Sequence, residues 1–136
     1  MSDLVLDASL ALQWFLDDEA DRNYSLNILA SLSSKRALVP MLWFYEVGNG
    51  LLMAYRRKRI ALDQIDGFLM RLKALPIEAW PAAPGAAFEL PALADKHGLT
   101  NYDAAHLAAA IECNLALATT DAALRKAAVA AGVVIV

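Results

Sequence analysis

Four acidic residues stand where the residue pattern leaves them chemistry to do. Asp7 directly follows the apolar run Leu4 to Leu6, and Asp121 follows "LALATT" in the same way. Both are placed beyond the carboxyl end of a strand, the edge at which open parallel sheets hold their ligands. Glu46 lies in "MLWFYEVGNGLLM", among apolar and aromatic neighbours and with no Lys or Arg within a helical turn. An unpaired buried carboxylate is costly, so Glu46 needs a cation, a hydrogen bond or a raised pKa. Asp103, in "LTNYDAAHLAAA", sits at most one turn into a helix whose start faces the same edge. Plainer readings exist for three of the four. Asp7 and Asp121 can be N-caps of helices starting at Ala8 and Ala122, and Thr100 with Asp103 has the T-x-x-D spacing of a capping box. Caps do not explain Glu46. A hard divalent cation such as Mg²⁺, which takes oxygen ligands, explains all four, and its chemistry would be metal-assisted hydrolysis of a phosphodiester.

The elements that must position these acids are legible as an alternation. Candidate strands are Leu4 to Leu6, Ala37 to Val39, the segment around Ile77, Leu115 to Thr119 and the C-terminal "VVIV". Helical patterns fill the gaps at Ala8 to Leu16, Ala20 to Leu32, Met41 to Lys58, Leu62 to Leu75, Gly85 to His97, Asn101 to Glu112 and Ala122 to Ala131. In "DQIDGFLMRLKAL", for instance, Ile65, Leu69 and Leu72 recur at intervals of three and four and form one apolar stripe. Short apolar runs alternating with longer helices predict an α/β fold with a parallel sheet covered on both faces.

A chain of 136 residues is expected to form one domain, residues 1–136. The single Cys113 has no partner for a disulfide and no zinc-ligand spacing beside it, so a reducing compartment, the cytoplasm, is the natural assignment. The N-terminus carries acids where a signal peptide would need a basic start, and its apolar runs are too short to span a bilayer, which argues against a membrane role. Hydrophobic residues nevertheless make up 59% of the chain, with a mean hydropathy of +0.41. Alanine explains part of that excess, and an apolar surface covered by a partner or a second copy would explain the rest. The net charge of −3 advertises no nucleic-acid binder, so the local run "YRRKR" must carry that argument. Arg56, Arg57, Lys58 and Arg59 could meet RNA phosphates, or could simply be solvated cations at a helix C-terminus.

The stretches "LVLDAS", "YEVGNGLL", "LTNYDAAHLAAA" and "ATTDAALRKAA", in this order and at this spacing, resemble the PIN domain family, most closely its small VapC-type toxins. The resemblance covers essentially the whole chain. It implies a three-layer sandwich with a short parallel sheet in the order 3-2-1-4-5, and a Mg²⁺- or Mn²⁺-dependent ribonuclease activity. Asp7, Glu46, Asp103 and Asp121 would be the acidic quartet. Asp7 and Asp103 would ligate the ion, Glu46 would ligate it or orient a water, and Asp121 would complete a second or weaker ion position. Ser9 and Thr119 or Thr120 would hydrogen-bond to those carboxylates. A toxin of this type implies a small antitoxin as partner, and the apolar composition also fits a homodimer. The chain departs from the family at Gly48 and Gly50, where relatives usually carry alanine or another helix former.

Rival readings fare less well. A haloacid-dehalogenase-like domain wants D-x-D after its first strand, whereas Asp7 is followed by Ala8 and Ser9; a receiver domain wants paired acids there. The non-enzymatic alternative is a PIN-like scaffold that binds RNA or a protein without cutting, with its acids serving as caps. His106 is read as a packing residue, because a hard-oxygen site does not call for imidazole. Trp14, Trp43 and Trp80 are read as core or interface residues before stacking platforms.

Overall fold

The computed structural model describes residues 3–16 and 22–136. In chain order the elements are β1 (Leu4–Leu6), α1 (Ala8–Phe15), α2 (Asn23–Ser31), β2 (Ala37–Val39), α3 (Leu42–Arg56), α4 (Leu62–Lys73), β3 (Ile77–Ala79), α5 (Pro84–Ala87), α6 (Leu90–His97), α7 (Asn101–Cys113), β4 (Ala116–Ala118) and α8 (Ala122–Ala130). The strands pair in parallel in the order β3-β2-β1-β4. Successive side chains of a strand point to opposite faces, and β1 shows the consequence. Leu4 and Leu6 join a core with α1, α3 and α4, built on Trp43, Val47 and Leu72. Val5 joins a second core with α7 and α8, built on Leu107, Leu117 and Leu124. All of β1 is buried. This is the three-layer α/β arrangement expected from the alternation.

Two expectations need correction. The C-terminal "VVIV" is not a fifth strand: among the described residues it makes only a bridge between Leu117 and Ile135, with Val134 and Val136 both exposed. Its contact with β4 is confined to two backbone bonds, from the Leu117 N–H to the Val134 carbonyl and from the Val136 N–H to the Leu117 carbonyl. The predicted helix from Gly85 to His97 is instead α5 and α6, separated at Phe88 and Glu89. Pro91 explains the break, since a proline ring clashes with the carbonyl four residues back and donates no N–H; it is accommodated in the first turn of α6. Of the segment expected to be helical from Ala20, Ala20 and Asp21 lie outside the described residues, and the helix runs from Asn23. His97 precedes Gly98, whose φ of 66° closes α6 in the left-handed conformation. No helix among the described residues is long and apolar enough to cross a membrane.

The two glycines of α3 have different reasons to be there. A Cβ on Gly50 would lie 2.5 Å from Cδ1 of Leu12, so any side chain there must displace the Leu12 tip where α1 crosses α3. At Gly48 a Cβ would meet nothing within 4 Å. Gly48→Ala is therefore expected to stabilise the fold by about 0.5–1 kcal/mol, the helix-interior penalty of glycine. Gly50→Ala should instead cost about 1 kcal/mol or more through overpacking against Leu12. Urea denaturation of the two variants checks both signs.

Candidate active site

The sheet order places a crevice at one edge. From the central strand β1 the chain moves outward through β2 and β3, then returns to form β4 on the other side of β1, so the loops after β1 and β4 diverge. Asp7 and Asp121 are the acids that follow these two strands. The Asp7 N–H donates to the carbonyl of Ala118 (3.0 Å), locking the exit of β1 to β4.

Each acid is presented by local structure readable in its neighbours. Asp7 is the N-cap of α1, and its Oδ2 accepts from Ser9 Oγ (3.1 Å) and Thr119 Oγ1 (2.7 Å). Asp121 caps α8, with Oδ1 accepting from the Leu124 N–H (2.8 Å). Thr100 caps α7 by accepting from the Asp103 N–H (3.1 Å), which leaves the Asp103 carboxylate one turn in and facing the crevice. The N-cap readings of Asp7 and Asp121 and the cavity reading are thus both true, while the expected capping box forms only its Thr100 half; α1, α7 and α8 all start at the crevice, and their positive N-terminal ends offset part of the acid charge. Glu46 comes from the interior of α3. With Asp7, Asp103 and Asp121 it lines a cavity of about 440 Å³, together with Ser9, Thr120, Asn49 and the Leu12–Gly50 contact.

The charges in this cavity are poorly compensated. Burial, and then the charges of Asp7 and Asp103, push the Glu46 carboxyl up to about 7. Asp103 is also raised, by burial and by Asp7 and Asp121, with His106 and Thr100 pulling the other way. Glu46 Oε1 is buried without a hydrogen-bond partner, and so is His106 Nε2, which faces it at 3.8 Å, beyond hydrogen-bonding range. His106 is fully buried, as a packing residue should be. Its Nδ1 lies 3.0 Å from the carbonyl of Tyr102, which can only accept, so Nδ1 carries the hydrogen of that contact and Nε2 is the ring nitrogen turned toward Glu46.

Thr119 and Thr120, interchangeable in sequence, separate in the structure. Thr119 is buried; its hydroxyl donates to Asp7 and accepts from the Asp121 N–H (3.0 Å), joining the ends of both strands, whereas Thr120 is exposed on the cavity wall. Thr119→Val is expected to destabilise the protein by about 1–3 kcal/mol, because it leaves buried polar groups unpaired. It should also lower any metal affinity about 10–100-fold by freeing the Asp7 carboxylate. Calorimetric unfolding and a Mn²⁺ titration separate the two effects.

Sequence reasoning missed two contributors. Asn49 lies three residues after Glu46, and helical spacing applied to that one residue would have put it on the same face. Arg125 carried no such signal: its Nε donates to the Thr119 carbonyl (2.6 Å) and its guanidinium stacks over Tyr24 at 5.1 Å, so it braces the end of β4 and is not a free surface cation. Of the cation run, Arg57 and Arg59 line a second cavity adjoining the first, and Arg56 and Lys58 line neither of the two. The tryptophans are structural: Trp43 and Trp14 are buried and Trp80 packs on the second core, with Trp14 Nε1 donating to the Ser25 carbonyl (2.7 Å).

Comparison with known proteins decides the family. Residues 4–130 match the PIN domain. The chain belongs to the PIN domain family. No curated protein matches it. Among solved structures, the crystal structure of PAE2754 from Pyrobaculum aerophilum superimposes with a TM-score of 0.71, covering 93% of this chain and 84% of that chain at 22% identity. A likeness at that identity carries the fold alone. PIN domains are generally nucleases that use divalent metal ions.

The residues of this PIN domain fit such an ion by the chemistry of their donors. The four acids supply oxygen only, the buried Oε1 of Glu46 lacks a partner, and Asp7 and Asp103 raise Glu46 as uncompensated like charges do. Among the described residues, no three acidic, histidine or cysteine side chains stand close enough to hold one ion in the conformation seen.

Proposed function

We propose that this PIN domain is a Mg²⁺- or Mn²⁺-dependent endoribonuclease acting as the toxin of a toxin–antitoxin pair. The observation that carries the reading is the Glu46 carboxylate, half-buried from mid-helix and raised to about 7 among three further acids in one cavity. Asp7 and Asp121 are also helix caps, whereas Glu46 and Asp103 present carboxylates to the cavity that cap nothing. Asp7, Asp103 and Asp121 would hold the ion, with Glu46 beside them. The ion supplies Lewis acidity, making a water more acidic and offsetting charge on the phosphodiester. Thr119 and Ser9 fix the rotamer of Asp7. Glu46 would ligate the ion or orient a water on it. Exposed apolar residues such as Phe88, Met70 and Tyr45 fit a surface that a small antitoxin or a second copy covers in the cytoplasm.

The test is cleavage of a panel of labelled RNAs by antitoxin-free protein. Wild type should cut with Mg²⁺ or Mn²⁺ and stop with EDTA, and Asp103→Asn should be inactive. Induced wild type, but not Asp103→Asn, should arrest growth, and co-expression of the neighbouring gene's product should relieve it. A catalytically silent scaffold would show neither cleavage nor a Mn²⁺-dependent rise in melting temperature, since only a site formed on folding is stabilised by its ion.

A further inference from the structure

We propose that the cavity beside the carboxylates, edged by Arg57 and Arg59, is the subsite for the phosphate adjoining the one that is cut, on a single strand of RNA; this rests on the nuclease reading above. The cavity, of about 250 Å³, shares Ser9, Leu12 and Gly50 with the acidic one, so the two are neighbours along one groove.

Charge complementarity names the occupant. The acidic cavity is lined by four carboxylates and no cationic side chain, so it repels every phosphate of a nucleic acid that its ion does not neutralise. A strand lying in the groove needs its next phosphate neutralised close by, and guanidinium groups do this with paired hydrogen bonds. The helix end selects which cations line the groove, and because Arg59 already has an interaction of its own, Arg57 is the one that meets the phosphate. Arg57 leaves helical geometry, Lys58 takes a left-handed backbone with φ 62°, and residues 57 and 59 come to line the same cavity while 56 and 58 do not.

The experiment measures binding of a short fluorescent RNA by anisotropy across a salt series, with Ca²⁺ in place of Mg²⁺, for wild type, Arg57→Ala, Arg57→Lys and Arg56→Ala. Arg57→Ala should weaken binding about five- to tenfold and flatten the slope of log K against log salt by about 0.7, the value for one lost phosphate contact on a single strand. Arg57→Lys should recover part of the affinity, and Arg56→Ala should change it less than twofold. A neutral methylphosphonate beside the cut should erase the difference between wild type and Arg57→Ala. Equal losses for Arg56→Ala and Arg57→Ala, or an Arg57 effect that survives the neutral linkage, would overturn the subsite while leaving the nuclease reading in place. Wild type that binds no RNA yet is stabilised by Mn²⁺ would remove the ribonuclease reading, and the subsite with it.

Discussion

Asp7→Asn is expected to lower RNA cleavage by more than about a hundredfold and, at the same time, to raise the melting temperature of the metal-free protein. The first effect follows from position. Asp7 is the most buried of the four acids and the only one whose carboxylate is held by two hydroxyls, from Ser9 and Thr119. Loss of an outer hydrogen-bond partner of a metal ligand typically costs 10–100-fold, so loss of the ligand charge itself must cost more. The second effect follows from repulsion. The Asp7 charge raises both Glu46 and Asp103, and an amide of the same shape removes that term while keeping an oxygen for the two hydroxyls. A gain of about 1 kcal/mol, or a few degrees, is the expected size. Thermal unfolding in EDTA and in Mn²⁺, read beside cleavage, tests it. A variant that loses activity by unfolding would show a lowered melting temperature in EDTA, the opposite sign.

The second large effect is a pH dependence that reverses with the ion. Glu46 has a folded-state pKa of about 7 against an ordinary value of 4.5. The folded protein therefore binds its proton more tightly than the unfolded chain, and the stability this contributes is full below 4.5 and lost as pH rises through 7. Asp103 is raised in the same direction and adds to the trend. Glu46 is more than a third exposed, and after allowance for solvent screening about 1 kcal/mol remains. Metal-free protein should thus melt at a higher temperature near pH 5 than near pH 7.5, acid effects elsewhere being matched by a Glu46→Gln control. With Mn²⁺ the order inverts, because protons compete with the ion for the carboxylates and its stabilisation fades below pH 7. Identical pH profiles for wild type and Glu46→Gln in EDTA would show that Glu46 titrates normally.

Local rules carried much of this site. Asp7 and Asp121 were placed at strand ends by the apolar runs before them, and Thr100 was placed before Asp103 by a spacing that depends on one helical turn. These are contacts within a few residues, so residue order determines them. Glu46 was singled out because a charge amid aromatic neighbours is anomalous wherever the helix packs. The errors were also local in origin. "VVIV" has strand composition, but only Ile135 bridges to β4, so the composition of the run did not predict its pairing. Pro91 was the overlooked breaker that divides α5 from α6.

By itself the sequence determined an alternating α/β chain, four candidate acids and the helices that cap on them, because hydrophobic period and capping chemistry act over a few residues. Only the tertiary structure decided that Thr119 and not Thr120 joins Asp7 to Asp121, across 112 residues of chain in the Asp7 bond. Only it turned Arg125 into a brace for β4, set Leu12 against Gly50 and nothing against Gly48, and put Arg57 and Arg59 but not Arg56 and Lys58 on one cavity. Each of these depends on which surfaces meet when helices pack on the sheet, and that meeting is fixed by the whole core at once.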